Sequence, residues 1–180
     1  MIVWINGAFG AGKTTVSELL HQKMPKAHIF DPEEVGYIIQ KRFPAARSMD
    51  YQDLPMWRRL VTQFIVEAKA QFPTPLIIPM TLVVPEYLKE IFVGIETENQ
   101  ALYHFFLETS KVELTRRITQ QVIVESDAER DAEVREWRLA QIDRCVAAAD
   151  LMPEGTVMLK TDNRRPEQLV EHIIHALLGQ

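Results

Sequence analysis

Gly7-Ala8-Phe9-Gly10-Ala11-Gly12-Lys13-Thr14-Thr15 carries the side chains and the spacing for phosphate chemistry. The stretch fits G-x-x-x-x-G-K-[ST], with an apolar run from Ile2 to Ile5 before it and a helical pattern from Val16 to Leu20 after it. Glycines let the backbone curl until successive N–H groups point at phosphate oxygens, and the new helix aims its positive end at the same place. Lys13 is the residue to reach the β- and γ-phosphates, and the Thr14 hydroxyl the one to hold Mg²⁺. Motif, flanks and position together favour nucleotide binding over a glycine-rich turn between core elements.

Asp31 is the second residue with a chemical reading. It closes the apolar run Ala27-His28-Ile29-Phe30, at a strand end of the kind where open α/β sheets bind ligands. A carboxylate there accepts or orients the proton of an attacking hydroxyl, or holds Mg²⁺ through water. Asp31-Pro32-Glu33-Glu34 is equally a sound helix start with Asp31 as N-cap, and the two roles can coincide. Glu33 and Glu34 are assigned to the helix dipole.

Arginine is concentrated in one region: Arg116, Arg117, Arg130, Arg135, Arg138 and Arg144 lie in or beside a charged excursion from Gln120 to Glu136. Guanidinium forks bind phosphate bidentately and stay charged at every relevant pH. Arg117 and Arg144 are the preferred pair. The excursion, about 117–140, reads as a lid over the phosphates or as a solvated helical hairpin, and the arginines favour the lid.

Two expected features are absent. The third apolar run ends in Pro79-Met80-Thr81 without the Walker B aspartate, so Thr81 or Asp31 must help Thr14 with the metal. Leu159-Lys160-Thr161-Asp162 only approaches the guanine-reading N-K-x-D, and no D-x-x-G follows the loop. Thr161, Asp162 and Asn163 then form a loop suited to an adenine, and ATP is preferred to GTP. For an acceptor molecule, Tyr37, Trp57 and Phe64 offer apolar contact and Arg58 a polar one, although these aromatics fit a core equally well.

The elements that must position these residues are legible as alternation. Ile2 to Ile5, Ala27 to Phe30, Leu76 to Met80, Leu102 to Leu107 and Thr156 to Leu159 are continuous apolar runs, the pattern of parallel strands covered on both faces. Helical stretches separate them. One carries Trp57, Leu60, Val61, Phe64, Ile65 and Ala68 as an apolar stripe opposite Arg58, Thr62, Gln63 and Lys69. Others open at Pro85 and at the capping box Ser110-Lys111-Val112-Glu113. The expectation is a single α/β domain over 1–180, a five-stranded parallel sheet flanked by helices with a lid insertion.

The 180 residues, 47% hydrophobic and 25% charged, describe an ordinary globular chain. A net charge of -5 argues against a nucleic-acid partner. The single cysteine, Cys145, excludes an intramolecular disulfide and fits a reducing compartment. No basic leader and no membrane-length apolar run is present, so a cytoplasmic protein is expected. The last helix shows Glu167, Glu171 and histidines rather than lysines on its polar face, which speaks against a membrane surface. The number of subunits stays open.

With these motifs stated, the chain resembles the nucleoside-monophosphate-kinase-like branch of P-loop proteins. Six strings tighten the likeness: Trp4-Ile5-Asn6-Gly7-Ala8-Phe9-Gly10, Asp31-Pro32-Glu33, Ile78-Pro79-Met80-Thr81, Pro85-Glu86-Tyr87, Gln141-Ile142-Asp143-Arg144-Cys145 and Thr161-Asp162-Asn163. They are similar to the tunicamycin resistance protein family. That resemblance implies an ATP-binding cytoplasmic protein that protects against tunicamycin, a lipidated uridine-containing antibiotic, by phosphorylating a hydroxyl of it. It also makes the missing Walker B acid a family trait. Two rival readings are a nucleotide-gated protein that sequesters the drug unmodified, and a kinase for a cellular nucleoside or sugar.

Overall fold

A computed structural model describes residues 1–98 and 100–179. Five strands form one wholly parallel sheet: β1 (Ile2–Gly7), β2 (His28–Ile29), β3 (Leu76–Met80), β4 (Leu102–Glu108) and β5 (Val157–Lys160), in the order β2-β3-β1-β4-β5. The helices are α1 (Lys13–Lys23), α2 (Glu33–Arg42), α3 (Pro55–Gln71), α4 (Pro85–Glu96), α5 (Lys111–Gln120), α6 (Ala128–Ala140), α7 (Ile142–Ala147) and α8 (Pro166–Leu178). No helix among the described residues is long and apolar enough to cross a membrane.

β1 lies at the centre and every one of its residues is buried, which is why its sequence runs apolar without alternation. Val3 and Ile5 face a core with Val16, Leu20, Leu114 and Leu169, while Ile2 and Trp4 face a second core with Trp57, Val61 and Ile91. Apolar burial on both faces is the main driving force for the layered arrangement. The expected strands appear, with one shortened: β2 keeps only His28 and Ile29 of the run Ala27 to Phe30, because it is an edge strand with a single neighbour, β3.

The expected stripe on α3 needs correction. Trp57, Val61 and Ile65 are buried, but Leu60 and Phe64 are exposed, whereas Arg58 and Lys69 are buried. The cause is that α3 packs against α4 as well as the sheet. Arg58 reaches Gln52 O (2.5 Å) and Glu90 Oε2 (2.5 Å) and stacks over Tyr87, and the Lys69 ammonium bonds Thr74 O. Long basic stems bury while their heads find oxygen. At Ser110 the hydroxyl accepts the Glu113 N–H (3.3 Å), but Glu113 turns to Arg116 and Arg117 instead of closing the box.

One buried amide fixes where the sheet hands over to the site. Asn6, at the end of β1, accepts the N–H groups of Gly7 (2.8 Å) and Leu82 (2.9 Å) through Oδ1, and donates through Nδ2 to Leu82 O (2.7 Å). Its Nδ2 also meets His104 Nε2 at 3.3 Å, so that nitrogen accepts and Nδ1–H donates to Thr156 Oγ1 (2.9 Å). Burial pushes the His104 pKa down to about 4, which keeps the ring neutral in this role. Asn6→Ala strips partners from three buried backbone groups. The expected loss is about 3 kcal/mol or more of unfolding free energy in a urea titration. A loss under about 1 kcal/mol would show that water replaces the amide.

Candidate active site

Gly7, Gly10 and Gly12 all hold positive φ, and Gly10 and Gly12 show why no side chain is tolerated. A Cβ on Gly10 (φ 80°) would lie 2.9 Å from the Ile118 side chain, and Gly12 (φ 98°) starts α1 in the left-handed region. The loop therefore turns tightly between β1 and α1, and the open N-terminus of α1 faces a cavity of about 390 Å³. Phe9, Gly10, Ala11, Gly12, Lys13, Thr14 and Thr15 all border this space. Gly7 and Ala8 take part through their carbonyls.

Lys13 Nζ donates to Gly7 O (3.1 Å), Ala8 O (2.9 Å) and Thr81 Oγ1 (2.7 Å). Thr81, the residue standing where an aspartate was missed, is buried and gives the ammonium a neutral oxygen. Desolvation pushes the Lys13 pKa down to about 8, with Glu33, Cys145 and Asp31 pulling it up and Arg138 pushing it down. A cation desolvated this way gains sharply from an anion placed against it.

Arg117 braces the loop from the opposite side. Its Nη1 donates to Ala11 O (3.2 Å) and Gly10 O (3.4 Å), and Glu113 holds its Nε at 2.7 Å. Asp31 shares the cavity with Lys13 and Thr14. Its Oδ1 accepts the Glu33 N–H at 2.9 Å, but α2 begins at Glu33 with Pro32 as its N-cap, so Asp31 stands one residue ahead of the expected capping position. Burial raises the Asp31 pKa, against the pull of that N–H. The Thr14 hydroxyl and the Asp31 carboxylate are hard oxygen donors on one cavity beside the phosphate loop, a set that fits Mg²⁺. No cluster of three acidic, histidine or cysteine side chains suited to a metal occurs among the described residues.

A second cavity of about 500 Å³ adjoins the first and shares Phe9, Glu33 and Arg138 with it. Its walls are Tyr37 on α2, the turn from Asp50 to Gln52, and Trp137 on α6. The Phe9 and Trp137 rings meet edge to face at 5.0 Å, and the Arg138 guanidinium lies over Phe9 at 5.6 Å. Tyr37 donates its phenol to Glu33 Oε2 at 2.8 Å. Burial and the Glu33 charge raise the Tyr37 pKa, so the phenol stays protonated.

Several expected site residues lie elsewhere. Arg144 borders neither cavity and faces Asp50 Oδ2 at 3.5 Å, because α7 turns it away from the loop. Arg138 takes the position between the cavities, with no carboxylate partner among the described residues. Asp162 accepts the Ser110 N–H at 3.0 Å and faces a different cavity, and Asn163 (φ 59°) forms the turn beside it. Thr161, Arg164 and Pro166 from the same loop border the phosphate cavity instead. Trp57 is fully buried, donating Nε1 to Pro32 O at 3.0 Å, and so supports the start of α2. Arg58 is buried against Glu90, and Phe64 stacks on Phe30 at 4.2 Å on the far side of α2. Of the four acceptor candidates, only Tyr37 borders the second cavity.

Glu33 and Arg138 are the cavity residues that the sequence does not single out, Glu33 being hidden behind its fit to the helix dipole. Thr81, expected to help Thr14 with the metal, instead places its hydroxyl on the Lys13 ammonium. Nothing in sequence separates Arg138 from the other excursion arginines. In the excursion, Arg130 pairs with Glu133 (2.8 Å) and Arg135 with Asp131, whose carboxylate also accepts the N–H groups of Ile123 and Val124.

A family model described as an AAA domain matches residues 2–145. Among solved structures, the chain is similar to the Deinococcus radiodurans tunicamycin resistance protein, at 24% identity and a TM-score of 0.70, covering 99% of this chain and 95% of that one. A sugar kinase from Janibacter sp. HTCC2649 superposes at 17% identity and a TM-score of 0.69, over 98% and 93% of the two chains. The Mycobacterium tuberculosis APS kinase in complex with AMPPNP and APS does so at 15% identity and 0.63, over 98% and 96%. No curated protein matches the sequence. The fold is that of P-loop kinases.

The depressed Lys13 pKa has a measurable consequence without any ligand. Below pH 8 the ammonium is charged in both folded and unfolded chains, and the folded state bears the whole desolvation cost. Between about 8 and 10.5 the folded chain loses the proton while the unfolded chain keeps it, so stability rises with pH from this group. Lys13→Met is expected to stabilise the protein by about 1–3 kcal/mol at pH 7, and the gain should shrink towards pH 10.5. Thermal melts across pH check it. A variant no more stable than the parent would mean that the three oxygens fully compensate the ammonium.

Proposed function

The chain belongs to this AAA-domain family, and on that premise we propose that it is an ATP-dependent phosphotransferase acting on a hydroxyl of a small molecule, tunicamycin being the acceptor favoured. One observation carries the reading: a phosphate cavity and a second cavity meet at Glu33, Arg138 and Phe9, so donor and acceptor can lie end to end. The likeness to a tunicamycin resistance protein supports the choice of acceptor.

In this reading the triphosphate lies on Gly10 to Thr15 with its base towards Arg117, Thr161 and Arg164. Thr14 and Asp31 would hold Mg²⁺, which would supply neutralisation of the phosphate charge. The acceptor hydroxyl oxygen attacks the γ-phosphorus as the bond to the β,γ-bridging oxygen breaks, and ADP leaves with that electron pair. Lys13 and Arg138 stabilise charge on the transferring group. The hydroxyl proton passes to Glu33, whose carboxylate borders both cavities, whereas Asp31 faces only the phosphate side and has one oxygen on the Glu33 N–H. Tyr37 keeps the Glu33 carboxylate aimed. Phe9, Tyr37, Tyr51 and Trp137 give the acceptor cavity flat apolar walls, suited to a ring system.

Incubation with ATP, Mg²⁺ and tunicamycin should add the mass of one phosphoryl group to the drug. Protection at one drug per protein with the drug unaltered would replace the kinase by a sequestering protein, and faster turnover of a nucleoside or sugar in a substrate panel would move the acceptor. Glu33→Gln should lower kcat roughly a hundredfold or more with ATP affinity nearly intact. Asp31→Asn should act mainly on Mg²⁺ dependence. If turnover survives Glu33→Gln and collapses in Asp31→Asn at saturating Mg²⁺, the base is Asp31.

A further inference from the structure

Behind the second cavity, on the opposite side of α2, several large apolar side chains are exposed together. Ile38 is 62% exposed, Phe43 53% and Phe64 49%, with Met56 and Leu60 beside them. A shallow groove of about 470 Å³ runs between α2 and α3 here, bordered almost wholly by apolar groups. Contiguous apolar surface of this kind on a soluble chain marks an interaction face.

The charges around it specify the partner. On α2, Glu34 and Arg42 stand one turn before and one turn after Ile38. On α3, Arg59 and Glu67 stand one turn before and one turn after Gln63. None of the four has a salt-bridge partner among the described residues. Each helix thus carries opposite charges eight residues apart, about 12 Å along the axis, symmetric about its midpoint. Such a pattern is complementary to itself reversed. Two α3 helices laid antiparallel about Gln63 bring each Arg59 beside the Glu67 of the other copy, with Leu60 and Phe64 between. A parallel approach would set arginine against arginine.

We propose that the protein is a two-fold homodimer through the α2–α3 face, with α3 packed antiparallel on the α3 of the second copy. The interface is isologous, so every contact occurs twice and the assembly closes. It leaves both cavities open, since Glu33 and Tyr37 occupy the other side of α2. This inference stands apart from the proposed reaction.

Sedimentation equilibrium of the full chain should give twice 20.8 kDa. Ile38→Glu with Leu60→Glu, both at exposed positions, should give monomer with an unchanged far-ultraviolet circular dichroism spectrum. Arg59→Glu alone and Glu67→Arg alone should each raise the dimer Kd about tenfold, since each reversal acts at two symmetric contacts. The combined Arg59→Glu/Glu67→Arg protein should regain the parent Kd. A chain monomeric up to about 100 µM, a dimer indifferent to Ile38→Glu/Leu60→Glu, or a charge swap without recovery would each overturn the proposal.

Discussion

Every polar atom of the Asn6 amide is used inside the protein, and the position of the whole site follows from that. Its oxygen takes the first N–H of the phosphate loop and the N–H of Leu82, so the exit of β1 and the exit of β3 are held at one point. Thr81 precedes Leu82, and its hydroxyl thereby arrives 2.7 Å from Lys13. Gln52 donates to Thr81 O at 3.0 Å, which ties the floor of the acceptor cavity to the same point. An ionised side chain at position 6 would carry a desolvation cost in this fully buried place, whereas an amide supplies donor and acceptor without charge.

From this anchor the electrostatics divide by side. Lys13, Arg117 and Arg138 approach the phosphate cavity from the loop, α5 and α6, while Asp31 and Glu33 approach it from the start of α2. A neutral threonine in place of a Walker B acid has a consequence for Lys13. A carboxylate at 2.7 Å would hold the ammonium in a buried pair; three neutral oxygens leave it short of countercharge and ready for phosphate. The carboxylate on the phosphate cavity comes instead from Asp31, two residues ahead of α2, the helix whose Glu33 and Tyr37 border the second cavity. In the proposed reaction the donor and acceptor sides thus meet at the start of one short helix.

What the sequence disclosed sorts by range. The loop, its flanking strand and helix, and the five-stranded parallel sheet were legible, because glycine positions and continuous apolar runs are local signals. The place of Asp31 beside the phosphate loop was legible because it lies just past the end of a strand. The choice among arginines was not: Arg138 and Arg144 differ only in the direction that α6 and α7 aim them, which depends on Asp50 and Phe9 from distant segments. Trp57 and Phe64 fit an apolar period equally well, yet one underpins Pro32 and the other lies outside the sheet's cover. Periodicity reports that a face is apolar and says nothing of what covers it. The same limit hid Arg58, whose burial rests on Gln52 and Glu90.

The exposed side of α3 can be weighed against the buried one in the same terms. Trp57, Val61 and Ile65 already satisfy the sheet, and Arg58 with Lys69 satisfies the neighbouring loops. Phe64 adds only its stack on Phe30, and Met56 and Leu60 stand open beside it, where a solvated helix face would do as well with polar residues. A second apolar face on one helix is a feature of a chain with a second contact to make. On α2 the same division holds: Glu33 and Tyr37 border the second cavity, while Ile38, Arg42 and, just past its end, Phe43 border the outer groove, so one ten-residue helix supplies two faces of opposite character.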